Sequence, residues 1–425
     1  MPDREAALRA AYARFLTNRQ VKGVSREEQD RLKRAHRRHT RRMAYLFLPL
    51  AVLIRLIRPL LLVRVGFVLR HKIGHCPMEA EAYLLERAAG IQPRRALDLF
   101  YFDYGTDGQT ANLFAEHLVR RHLRVRRWVE WLAAANKMLP GADRHRITVH
   151  FRDRQEFADT QSLLARFPPQ IVLNDAEKAL GRSLLRDMGV PPDGRFVCFH
   201  VREPGYWSAR KEGIGDASDF RNASVVNFEA AMLAAAERGY FAIRLGATEG
   251  MPLSIAHPRV IDYPRGHRNE FMDVFLAAEC DLMVSTASGL DTIAYFSHRP
   301  IVFVDLSSWG WEYVGLPQPF LCIFKKFRRA GRLMTFGEVI DMKAEEFTVS
   351  RQFAEAGITL EENSADEIEA AVEEMLDRLE GKDRTTAADR ERQDRMRAHI
   401  RRARRYRDWQ FEVSPAYLRK YEALL

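Results

Sequence analysis

Apolar and polar positions along this chain fall into two successive series of strand-like and helix-like segments. In the first, Leu60–Leu69 is an aliphatic run of strand length and Glu79–Ala89 carries apolar residues at helical spacing. Ala96–Phe102 (ALDLFYF) reads as a buried strand, Thr110–Arg121 as a helix and Ile147–Phe151 as a short strand candidate. Strands alternating with helices predict parallel βαβ units. The Pro-rich stretch Phe167–Pro192 reads as an irregular passage between lobes. The second series predicts strands at Phe196–Val201, Tyr240–Leu245, Val260–Tyr263, Asp281–Ser285 and Ile301–Asp305. Helices are expected at Asn227–Arg238, Asn269–Ala278 and Gly289–Phe296. Ser364-Ala-Asp-Glu367 is a capping box opening a helix that runs to Leu379. No 20–50-residue repeat is visible, which argues against a solenoid or propeller. The pattern predicts an α/β chain of two Rossmann-like βα domains facing a cleft, over 59–180 and 190–382. A basic, apolar helical segment (1–58) precedes them and a basic helical tail (383–425) follows.

Length agrees, because 425 residues exceed one ordinary core and suit two. Charge changes the picture at the ends. The net charge is +10, and residues 1–42 hold thirteen Lys/Arg against five Asp/Glu. The stretch from Arg384 to Arg407 is again Arg-rich. Basic arms on a nearly neutral body suit anionic lipid headgroups or nucleic acid. The apolar run Met43–Ile54 is broken by Pro49 and followed by Arg55 and Arg58. That is short of the roughly 20 apolar residues a spanning helix needs. A monotopic segment flanked by Arg37, Arg38, Arg41 and Arg42 is the preferred reading, with a buried helix packed on the first lobe as the alternative. Cys76, Cys198, Cys280 and Cys322 are far apart and form no CxxC pair, which suits reduced thiols in a cytoplasm. No signal peptide is recognised, since a charged stretch precedes any apolar run.

The candidate chemistry clusters at strand ends. His200 and Arg202 in Phe-His-Val-Arg point to one side of an extended chain, where a buried strand finishes. Ligands in open α/β sheets bind beyond the carboxyl ends of strands. Arg202 is suited to grip a phosphate bidentately and to stabilise a departing nucleoside diphosphate. Tyr206 and Trp207 offer rings for stacking, while a core His beside a surface ion pair is the alternative. The segment Asp281–Asp291 (DLMVSTASGLD) runs from a strand through Ser285, Thr286, Ser288 and Gly289 into a helix start, an expected anion site. Ordinary N-capping is the alternative there. Arg221 and Asn222, Arg244 with Gly246, and Asp262 with Tyr263 and Arg268 are supporting candidates. In the first lobe His75, after Ile73-Gly74, is the first choice of general base for an acceptor hydroxyl. Asp103 and Asp107 are the others.

Several of these stretches together resemble a family of bacterial glycosyltransferases associated with surface-polysaccharide synthesis. The matching stretches are IGH (Ile73–His75), HVREPGYW (His200–Trp207), RNAS (Arg221–Ser224), IRLGA (Ile243–Ala247), Asp262-Tyr263 and FMDVFLAAECDLMVSTASGL (Phe271–Leu290). GITLEENSADEI (Gly357–Ile368) and SPAYLRKYEALL from Ser414 also match. More distantly, HVR followed by a Ser/Thr turn looks like the superfamily of nodulation-type and protein O-fucosyltransferases. The resemblance implies a two-lobed GT-B fold and an inverting, metal-independent reaction. It implies diphosphate contacts from Arg202, with His200 beside it, and from Thr286 and Ser288. Glu203 stands where some relatives carry a second arginine after HVR. Arg64, Arg70, His71 and Lys72 also interrupt the apolar segment before IGH, where a simpler strand would be expected.

The expected activity is single-displacement transfer of a sugar from a nucleotide-sugar donor to a saccharide or lipid-linked acceptor, with His75 as base and Arg202 on the leaving diphosphate. No DxD-like acidic pair marks a strand end, so no metal or other cofactor is expected. The basic N-terminal arm is expected to bring the protein to an anionic membrane surface, peripheral on the inner face of the cell membrane. Nucleic acid is not an expected partner, because the charge sits mainly on terminal helices. The rival is a catalytically inactive GT-B-shaped membrane adaptor that binds sugar or nucleotide.

Overall fold

The computed structural model describes residues 2–19, 25–103, 109–150, 161–203, 219–309, 319–402 and 412–425. They form an α/β chain that divides into two compact units, one built from 25–172 and the other from 2–19 together with 173–425. The segment 1–58 expected from the sequence is divided between them. Helix α1 (Pro2–Tyr12) belongs to the second unit and α2 (Arg26–Leu56) to the first.

In the first unit, β1 (Leu62–Leu69) is followed by α3 (His75–Ala88), β2 (Ala96–Asp103), α4 (Leu113–His122) and α5 (Trp128–Lys137). Strands β1 and β2 run parallel in register from Leu62↔Ala96 to Leu69↔Asp103. Alternation decides which faces pack. Val63, Val65, Leu97 and Leu99 meet Ala44, Ala51 and Ile54 of α2 and Val129 and Leu132 of α5 in one core. The opposite face carries Arg64 and Asp98, directly across from one another. Arg64 is buried and donates to Asp98 through Nε at 2.8 Å and Nη2 at 2.7 Å, and to Gln92 Oε1 at 2.7 Å. The Tyr83 hydroxyl also donates to Asp98, at 2.5 Å. Burial, with Asp98 adding to it, pushes that phenol up to about 12. The arginine that breaks the strand pattern is thus matched by Asp98, in register with it in the next strand. The expected strand at Ile147–Phe151 reduces to one parallel bridge, Val65↔Arg146, with Ile147 N donating to the Val65 carbonyl. Phe151 lies outside the described residues.

The second unit holds a six-stranded parallel sheet. Its strands are β3 (Phe196–His200), β4 (Phe241–Leu245), β5 (Val260–Asp262), β6 (Leu282–Ser285), β7 (Ile301–Leu306) and β8 (Phe320–Phe324), in the order β5-β4-β3-β6-β7-β8. Counted within the unit this is 3-2-1-4-5-6, the order of a doubly wound dinucleotide-binding sheet, and its direction reverses between β3 and β6. The stretch expected to be irregular contains a helix, α6 (Asp175–Asp187). A reciprocal capping box between Asn174 and Glu177 opens it, a signal the flanking prolines obscured. Helix α1 docks on α6 through Arg9, which donates to Ser183 Oγ at 2.6 Å and Asp187 at 2.8 Å.

The C-terminal residues are built into this unit rather than hanging from it. Helix α7 (Glu229–Glu237) follows β3, and α8 (Glu270–Glu279) and α9 (Asp291–Phe296) flank β6. After β8 come a small antiparallel sheet and the short helices α10 (Phe336–Asp341) and α11 (Ser350–Glu355), then α12 (Ala365–Leu379), α13 (Ala387–Arg402) and α14 (Pro415–Lys420). Val413 pairs in parallel with Cys322, so an extended segment lies along the edge of β8. Lys420 and Tyr421 then both reach Glu367 at 2.5 Å. All four cysteines are buried and unpaired.

Candidate functional site

The carboxyl ends of β3 and β6 adjoin where the strand order reverses, with His200 in register with Ser285. Backbone bonds continue past the strands: Thr286 N donates to the His200 carbonyl at 3.2 Å, and Arg202 N donates to Thr286 Oγ1 at 3.0 Å. The chain returns through Arg221 and Asn222, and Ala223 N donates to the Arg202 carbonyl at 2.9 Å. Arg202 Nε donates to Asn222 Oδ1 at 3.1 Å. The Arg221 guanidinium donates to the Ala287 carbonyl. Lys325, between β8 and the next strand, is buried, and its Nζ donates to the Asn222 carbonyl at 2.5 Å. Burial holds its ammonium pKa below the ordinary lysine value.

Three cationic side chains therefore gather around Asn222 and the β6 turn. Arg202, Arg221 and the turn residues are among the candidates read from the sequence. Lys325 was missed, because FKKF between two strands looks like surface charge. Burial pushes the nearby Asp305 carboxyl up to about 7, so it offsets little of that charge in slightly acidic solution. Asp305 has φ of +54° beside a register shift in β7, and Ala287 has φ of +52° in the turn after β6. Left-handed non-glycine residues cost of order 1–3 kcal/mol and concentrate where geometry serves a site. His200 is half-buried, and burial together with Arg202 lowers its pKa to about 4. Both effects favour the neutral imidazole.

Other expected residues have different surroundings. Helix α9 starts at Asp291, not Gly289, and has six residues. Asp291 accepts from Ser285 Oγ and from Ser288 N, each at 2.7 Å, so its carboxylate occupies donors that an anion cradle at this turn would need. Thr286 is buried, Ser288 partly so, and Gly289 is exposed. Arg244 is fully buried and paired with Glu203 and with Asp262, the latter at 2.9 Å. It adds no spare charge at a ligand site. Gly250, with φ of +53°, lets the chain pass this pair, since a Cβ there would come within 2.8 Å of Arg244 Nη2. Gly246 is half-buried near Pro264. Tyr263 lies in the core, where its hydroxyl donates to Asp273 at 2.9 Å and accepts from Asn269 N at 3.0 Å. Arg268 donates to Asp273 at 2.9 Å. Asp262 and Arg265 line an open groove of about 560 Å³ beside edge strand β5. Tyr206, Trp207 and Asp107 lie outside the described residues. In the first unit, His75 is the first residue of α3, with Nδ1 3.3 Å from Glu79 Oε1, and Asp103 closes β2.

No family model matches the chain, and no curated protein matches it by sequence. Among solved structures, it is similar to the E. coli ADP-heptose LPS heptosyltransferase II, with 13% identity, 61% of this chain and 90% of that one covered, and a TM-score of 0.39. A glycosyl transferase family 9 protein from Veillonella parvula matches at 10% identity over 62% of this chain and 86% of its own, with a TM-score of 0.35. E. coli heptosyltransferase WaaC with ADP matches at 14% identity over 57% and 87%, with a TM-score of 0.27. Likeness this distant says nothing about chemistry, which must be argued from the residues.

Proposed function

We propose that the protein is a glycosyltransferase that takes a nucleotide-sugar donor at the β3/β6 reversal and transfers the sugar to a saccharide or lipid-linked acceptor of surface-polysaccharide synthesis. The observation that carries the donor half is the convergence of Arg202, Arg221 and Lys325 at the carboxyl ends of parallel strands where the order reverses. Open α/β sheets bind ligands at that position. Cations gathered there suit a diphosphate that gains charge as it leaves. The transfer half is supported by the run of motifs from Ile73 to Ser414 that resembles glycosyltransferases.

In the proposed step the acceptor oxygen bonds to the anomeric carbon as that carbon's bond to the diphosphate oxygen breaks. The bonding pair leaves with the nucleoside diphosphate and inverts the centre. His75 takes the hydroxyl proton, and its contact with Glu79 supports the role, since a carboxylate on one ring nitrogen orients the other. Glu203, which follows HVR, is committed to Arg244. That weakens the analogy with fucosyltransferases carrying an arginine there and leaves the donor sugar to experiment.

The test is a thermal-shift comparison of GDP, UDP, CDP, ADP and CMP, repeated on Arg202→Ala. One nucleotide is expected to stabilise the wild type, by about 2.7 kcal/mol at a hundred times its Kd, and to have no effect on the variant. Absence of any shift in folded protein would overturn the donor assignment.

A further inference from the structure

We infer that the solvent-facing side of α2 is a docking surface for an anionic lipid bilayer. The inference is independent of the transfer reaction. Helix α2 is 31 residues long and buries Ala44, Ala51 and Ile54 on one side. The other side is a stripe at three- and four-residue spacing, with exposed Pro49 standing between Leu46 and Leu53. Its first half presents Arg34, Arg38 and Arg42, all exposed. Its second half presents Leu46 and Leu56, each 71% exposed, with Leu53 between them at 48%. Leu60, just past the helix, is 92% exposed. Scattered surface leucines are ordinary, whereas a contiguous stripe of them marks an interaction surface.

Charge decides the occupant. From residue 31 to residue 61 the chain has no carboxylate. A second copy would therefore bring arginine or leucine against this arginine band and could not neutralise it from the same face. A bilayer with anionic headgroups meets both halves: the arginines lie at the phosphate level while the leucines enter the acyl boundary, about 5–10 Å deep. No helix among the described residues is long and apolar enough to cross a membrane, so the helix would lie on the surface. The surface is narrower than the basic arm expected from sequence, because α1 is docked on α6 through Arg9.

Co-sedimentation of the full chain with phosphatidylcholine vesicles, and with mixed phosphatidylcholine/phosphatidylglycerol vesicles, tests this. Binding is expected only to the mixed vesicles and should weaken as salt rises. Arg34→Gln/Arg38→Gln/Arg42→Gln should lose roughly fivefold in partitioning for each arginine near the surface. Leu46→Ser/Leu53→Ser/Leu56→Ser should abolish retention at salt levels where the wild type still binds. Both variants change exposed side chains, and unchanged urea midpoints would establish that they fold. Equal binding to both vesicle types, or binding indifferent to either variant, would overturn the proposal. So would a lipid-free dimer that the leucine variant dissociates.

Discussion

Cations sit in two kinds of surroundings in this protein, and the contrast between β1/β2 and the β3/β6 reversal separates structure from site. In the first unit, the Arg64 guanidinium is closed by both oxygens of Asp98, with Tyr83 and Gln92 completing the cage. In the second, Arg221 and Lys325 are held by the backbone carbonyls of Ala287 and Asn222. A carboxylate in direct contact cancels most of the field of the first arginine, whereas carbonyls orient Arg221 and Lys325, with Asp305 and Glu362 near Lys325 offsetting only part of its charge. Arg244 belongs with Arg64 although it lies in the sheet that carries the site, since Glu203 and Asp262 flank it. Proximity to a strand end is therefore a weaker guide to function than what the charge is paired with.

The largest effect expected is at the closed pair. Asp98→Ala strands a buried guanidinium and should cost about 3–5 kcal/mol in urea unfolding, whereas Arg64→Met/Asp98→Leu should recover most of that loss. A mild Asp98→Ala phenotype would break the comparison on its structural side.

The next effect is the pH response of His200. Its folded pKa near 4 lies below the ordinary value of 6.5, so the unfolded chain binds more protons between those limits. Stability from this group is therefore fully present above pH 6.5 and is lost as pH falls toward 4. The wild-type minus His200→Gln difference should change by about 2 kcal/mol across that window, discounted for the part of the ring that meets solvent. A flat difference curve would show that the imidazole is not held neutral by its surroundings.

The smallest stability effect is expected at Lys325. Lys325→Met should lower the unfolding free energy from urea titration by no more than about 1 kcal/mol, yet weaken nucleotide-dependent stabilisation about tenfold or more, as loss of a charge-assisted contact does. A large stability loss would place Lys325 with Arg64 as a structural cation.

The parallel series was legible because strand and helix periods alternate cleanly from Phe196 onward. The adjacency of the candidate residues His200, Arg202 and Thr286 was legible because a motif and a strand end coincide there. Asp291 disappointed the anion reading of the β6 turn, since a carboxylate five residues after Thr286 can fold back onto Ser285 and Ser288. Long-range pairing was not legible: Arg244 meets Glu203 at a separation of 41 residues, and Lys325 meets Asn222 at 103. Nothing local to FKKF reveals a buried ammonium. Arg64 and Asp98 did leave a trace, as charges inside two largely apolar strands.

The segment laid along β8 has a consequence for the timing of folding. Cys322 bonds to the Glu412 carbonyl 90 residues further on. During synthesis at about 5–20 residues per second, the edge of β8 would wait roughly 5–18 s for its cover. An open strand edge is a template for pairing with other chains. The nascent sheet would thus pass through an interval of aggregation risk that the finished protein conceals.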